Sequence, residues 1–175
     1  MSTTARDAPT ACPGCGVHLP SSTAPATMDA TASRACDERF GHLLARSYER
    51  GDLRATHQLL VDAWVVQHAG GRGPRQVQRV GLCLMTLLLV HEFDLGPERG
   101  PAMHARMMRR PPDIVWLEPP SHRWRTTVVD LLAARDAVAH HALARAWAAE
   151  AWTAWTPHHD VVRRWVVEAG VLPSR

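Results

Sequence analysis

Cys12 and Cys15 flank a Pro-Gly turn in the stretch CPGCGVHLP. That spacing points two sulfurs to one side while backbone N–H groups face them, the arrangement of a zinc knuckle. A redox Cys-x-x-Cys pair instead opens a helix after a strand, which lowers the cysteine pKa, and no strand-then-helix pattern surrounds this pair. Zinc is therefore the expected cofactor, and two donors do not complete its site. Cys36 is the third candidate, because it falls at the start of a predicted helix, where amide donors and the helix dipole favour a thiolate. If that helix and the next form an antiparallel hairpin turning near Gly51-Asp52, residues equidistant from the turn lie side by side and His68 falls opposite Cys36. The predicted metal ligands are thus Cys12, Cys15, Cys36 and His68. His18, two residues beyond the knuckle turn, competes locally with His68, and Asp29 or solvent is a further alternative for the fourth position. Four protein donors close a zinc ion into a structural site, whereas three and a water leave it reactive.

A second group of residues could do acid–base work. His57 lies three turns before His68 on the same predicted helix, so the two imidazoles are about 16 Å apart at 1.5 Å per residue and cannot share one ion. Its candidate partners in a bundle pocket are Asp62, His91, Glu92, Glu118, His158 and His159. The catalytic candidates taken together are His57, Asp62, Glu118, His158 and His159. Trp116 and Glu118 stand in WLEPP, where prolines can fix a side chain over a pocket. No HExxH, ExxH pair or Ser-His-Asp order accompanies them. Cys83, in the middle of an apolar run, reads as a small buried hydrophobe. Trp147, Trp152 and Trp155 share one helical region and are expected to close the core rather than to stack on a ligand.

The elements that must position these residues follow from periodicity and breakers. Residues 1–33 are rich in Pro, Thr, Ser and Ala with almost no apolar periodicity, and form an arm that only a metal could order. Residues 34–172 read as a helical domain. Phe40, Leu43, Leu44 and Tyr48 recur at helical spacing up to Arg50-Gly51, where Gly51 suits a C-cap. A second helix is expected from Leu53 to His68, with His57, Leu60, Val61, Trp64 and His68 on one stripe before Ala69-Gly70-Gly71. Pro74 opens a third, the expected central helix, running to about Phe93 through GLCLMTLLLV. A short helix over 102–109, a proline-bounded extended segment PPDIVWLEPP, and helices over 126–133, 138–155 and from Pro157 onward complete the chain. The fold class is all-α: a single-domain helical bundle with a Cys-bearing N-terminal arm stapled by metal.

Composition narrows the function classes. The chain has 175 residues, 46% of them hydrophobic, with seven Trp, which argues for one folded core. The longest apolar run is too short to cross a bilayer. The start MSTTARDAPTA has neither the basic nor the apolar region of a signal peptide, so a cytoplasmic location is expected, where a structural disulfide is disfavoured. Lys is absent and Ala, Arg and Val abound, the mark of a GC-rich bacterial genome. The net charge of +3 is small and acids are interspersed among the arginines. That dilution argues against a nucleic-acid partner, although Arg72, Arg75 and Arg79, or Arg106, Arg109 and Arg110, could still form local patches.

CPGCG, the Ala35-Cys36 dipeptide with FGHLLARSYERGD, HQLLVDAWVVQH, WLEPP and the C-terminal AWTPHH together resemble an uncharacterised bacterial family, a domain of unknown function. The resemblance spans nearly the whole chain and implies no activity. Members of that family carry a His followed by a Tyr between the CPGCG turn and the next Cys. Here the stretch is APATMDATAS, with Thr27 and Asp29 at about those places, so no ligand role is carried over to them. The reading that results is a zinc-binding helical module for a small-molecule or protein partner. The alternative is an enzyme with a His/carboxylate pocket inside the bundle.

Overall fold

Helix starts in this chain are set by caps and prolines. Ser33 caps the first helix, its hydroxyl accepting from the Cys36 amide at 3.2 Å, and α1 runs over Arg34–Glu49. Its inner face carries Cys36, Phe40 and Leu43. The helix ends differently from the expected Gly51 C-cap: Arg50 is extended at φ −106°, and Gly51–Thr56 form a 3-10 turn. That turn also delays α2, which covers His57–Gln67 rather than starting at Leu53. Tyr48, placed on the apolar stripe by spacing alone, is 62% exposed and packs its ring on His57 at 4.4 Å.

Pro74 opens α3, Pro74–Glu92, followed by α4 over Gly100–Arg109. A capping box between Thr127 and Asp130 starts the short α5, Val128–Leu132. Asp136 caps α6, Ala137–Ala154, and a 3-10 turn at Thr156–His158 leads into α7, His159–Glu168. The computed structural model describes residues 8–23 and 31–172, and among these seven α-helices carry most of the regular structure. The fold is all-α, with one exception that helical periodicity does not reveal. Thr10–Ala11 (β1) and His18–Leu19 (β2) pair antiparallel, Thr10 against Leu19 and Ala11 against His18, and so clamp the two ends of the CPGCG turn.

The centre of the bundle is α2 rather than α3 alone. Leu59, Leu60, Ala63, Trp64, Val65 and Val66 of α2 are all buried, so this helix has no solvent face to make it amphipathic. It packs on α3 and α6. Phe40 stacks on Trp64 with centroids 4.4 Å apart and planes 7° from parallel, fixing α1 against α2. Trp147, Trp152 and Trp155 are in the core, and Trp155 donates its indole N–H to the Val66 carbonyl at 3.3 Å. Residues 111–127 contain no regular element, as the prolines require. Their end is tied to α6 by Glu150, whose carboxylate accepts from the amides of Arg125 at 2.8 Å and Thr126 at 3.0 Å. No helix among the described residues is long and apolar enough to cross a membrane.

Candidate metal centre

The CPGCG turn is built by its own backbone. Cys12 N–H donates to Val17 O and Gly16 N–H to Cys12 O, both at 2.8 Å, and Gly16 leaves the turn at φ 78°. A Cβ at Gly14 would stand 2.4 Å from His68 Cδ2 and 2.7 Å from the Thr31 carbonyl, so only glycine lets the turn rest on the imidazole. Thr31 ties the same corner from the other side, donating N–H and hydroxyl to the His68 carbonyl at 3.0 and 2.8 Å. Ser33 N–H donates to Cys12 Sγ at 3.3 Å, so the N-cap of α1 also faces a sulfur.

Cys12, Cys15, Cys36 and His68 are brought together here. All four are buried, and their donor atoms lie within 4.8 Å of one another, a group that could hold a metal ion. Cys15 Sγ is 3.8 Å from Cys36 Sγ, and Cys36 Sγ is 3.4 Å from His68 Nε2. His68 Nδ1 is 2.8 Å from the Trp64 carbonyl, which can only accept, so Nδ1 carries the ring proton and Nε2 presents a lone pair to the sulfurs. The hairpin logic holds despite the shortened second helix, because His68, its C-cap, stays beside the first turn of α1.

Protons are shared unequally among the three thiols. Hydrogen bonds from Cys15 and then Cys36 hold Cys12 far below the ordinary thiol range, against the effect of burial. Cys15 is pushed up to about 12, chiefly by its hydrogen bond with Cys12. Cys36 is pushed up further, by its bonds to Cys12 and Cys15 and by burial. A metal ion bound by all three sulfurs would have to displace the protons that these shifts hold on Cys15 and Cys36.

The remaining ligand candidates are elsewhere. His18 is on the exposed side of β2, paired with Ala11. Asp29 and Thr27 lie outside the described residues. The acid–base candidates do not converge on one pocket. His57 shares a 2.6 Å hydrogen bond with Ser47, and burial, then Arg54, lowers its pKa. Glu118 is exposed, and its backbone carbonyl accepts from His158 Nε2 at 2.9 Å. His159 stacks on Trp152, centroids 3.6 Å apart, and donates to the Trp152 carbonyl. His91 is held low by burial, and Glu92 forms an ion pair with Arg163 at 2.7 Å. Trp116 lies under the Arg72 guanidinium, 3.7 Å from the ring centroid.

Asp62 belongs to a group that sequence reasoning missed. Its carboxylate, Cys83 Sγ and a ring nitrogen of His104 lie within 4.8 Å of one another. Cys83 is more than the plain hydrophobe expected of it: burial, then the neighbouring Asp62 carboxylate, pushes its thiol well up. The three residues stand on α2, α3 and α4, so no local spacing relates them.

An all-α fold with a buried Cys₃His group at its N-terminal corner defines the class. Residues 10–156 match the model of DUF5946, a family of unknown function, and the chain belongs to that family. No curated protein and no solved structure matches it.

Proposed function

We propose that Cys12, Cys15, Cys36 and His68 hold one zinc ion, and that the protein is a cytoplasmic bacterial binding module in which this ion is structural. The observation that carries the reading is metric. Zn–S bonds near 2.3 Å and Zn–N bonds near 2.0 Å in a tetrahedron set S···S at about 3.8 Å and S···N at about 3.5 Å. The corner has 3.8 Å for Cys15–Cys36 and 3.4 Å for Cys36–His68. Four protein donors leave no open position, which favours a structural over a catalytic ion.

The binding role is supported by what the knuckle borders. A groove of about 790 Å³ runs between Pro13–His18 and the segment containing His122, Arg123 and Trp124. Among the described residues its lining has Arg123 and His18 and no carboxylate, while His122 is already paired with Glu150 at 3.1 Å, so the partner proposed for it is an anionic small molecule or an acidic protein segment that Arg123 would meet. The ion would fix one wall of this groove. X-ray absorption tests the metal assignment: the zinc that Cys36→Ser releases is expected to show, as the difference between the two spectra, about three Zn–S and one Zn–N distance at the lengths above. A shell of oxygen donors, or full zinc retention by Cys36→Ser, overturns it.

A further inference from the structure

We infer that Asp62, Cys83 and His104 form a second metal site, of the zinc class, inside the three-helix junction of α2, α3 and α4. Their donor atoms lie within 4.8 Å of one another, with Asp62 and Cys83 buried and His104 half-buried. The Asp62 side chain is fully buried. Its Oδ1 accepts from Gln58 Nε2 at 2.9 Å and lies 3.2 Å from His104 Nε2, while Oδ2 is buried and among the described residues meets no donor stronger than the Cys83 thiol beside the carboxylate. A carboxylate taken out of water with so weak a donor is costly, and a cation between it, the thiolate and the imidazole removes the cost.

The donor set selects the ion. A thiolate beside an imidazole excludes magnesium and calcium, which prefer oxygen throughout, and suits zinc or its spectroscopic substitute cobalt. Three protein donors match zinc sites that keep a fourth position for water or a ligand. Access to that position runs past Gln58, which touches both Asp62 and His104 and also lines a cavity of about 480 Å³ with Tyr48, His57 and Glu98. Backbone packing permits the approach. A Cβ on Gly100, at the start of α4, would be 2.5 Å from Gln58 Cγ, so glycine lets α4 close on α2 and His104 reach Asp62 one turn later.

The site is tested by loading the full chain with Co²⁺, removing weakly held ion, and measuring metal per chain with the thiolate-to-cobalt absorption. Two ions per wild-type chain are expected, and one in His104→Ala and in Cys83→Ala. Cys36→Ser should keep one ion whose absorption has the strength of a single thiolate. Asp62→Asn can disturb the core, so the partly exposed His104 supplies the decisive variant. One ion per wild-type chain that disappears in Cys36→Ser overturns the second site and leaves the Cys₃His corner standing. One ion per wild-type chain that survives Cys36→Ser and is lost in His104→Ala upholds the second site and overturns the corner instead. Two ions in His104→Ala and Cys83→Ala alike also overturn the proposal.

Discussion

The N-terminal corner and the centre of the bundle are held by opposite means. In residues 8–23 the buried side chains are Cys12, Cys15 and Leu19, two donors and one hydrophobe. In α2 eight of eleven residues are buried, six of them apolar. The centre coheres chiefly by area removed from water, and the ion proposed at Asp62 would add to that cohesion rather than supply it. The corner has too little apolar surface to offset the entropy of ordering its chain and depends on directional bonds to sulfur and imidazole. Folding and metal binding should therefore be separable in this molecule, unlike a small zinc finger, where they are one event.

The sharpest way to break this contrast is to damage each side and compare. Trp147→Ala, at a fully buried position, is expected to cost about 3–5 kcal/mol of global stability in urea denaturation. Removing zinc with a chelator should leave helical circular dichroism near that of the holo-protein while cleavage within residues 8–23 rises strongly in limited proteolysis. If chelation lowers global stability as much as Trp147→Ala does, corner and centre are one cooperative unit. Gly14→Ala is the intermediate case. The added methyl meets the His68 ring, so zinc retention against a competing chelator should weaken by about 10–100-fold, the scale of disturbed ligand support. An unchanged competition curve would show that the turn can leave the imidazole at no cost.

The smallest effect concerns the far side of the bundle. His140 is buried with neither ring nitrogen hydrogen-bonded among the described residues, and burial, then Arg46, lowers its pKa to about 4. Unfolded, it returns to about 6.5 and binds more protons between those values. Its contribution is therefore fully present above pH 6.5 and lost as pH falls toward 4. His140→Leu should flatten the stability–pH curve in that window, read by urea midpoints at pH 7 and pH 5. A parallel loss in both proteins would move the acid sensitivity to other groups, first His57 and His91, whose pKa values burial also lowers.

Much of this was legible in the sequence where one rule acts alone. Pro74 as first helical residue and the prolines around Ile114 each act on their own backbone, so the elements they bound were readable. The meeting of Cys36 and His68 was readable too, since a short connection forces antiparallel neighbours. The β1–β2 pair was not, because two-residue strands have no measurable alternation. Tyr48 misled because spacing assigns a face without saying where the neighbour ends. Cys83 and His104 were hidden for a deeper reason: their relation to Asp62 exists only after three helices pack, and close packing at Gly100 decides it.

The separation of the corner's donors along the chain also sets an order of events during synthesis. Cys36 and His68 are 32 residues apart, and Cys12 precedes both. At about 5–20 residues per second, the dithiol turn emerges several seconds before the histidine exists. During that interval Cys12 and Cys15 are an unfinished ligand pair on a growing polypeptide, open to any thiol-seeking metal or oxidant the cell offers. The Phe40–Trp64 stack joins α1 to the helix that delivers His68, so on the proposed reading a newborn chain would gain selectivity for zinc only when that aromatic contact closes.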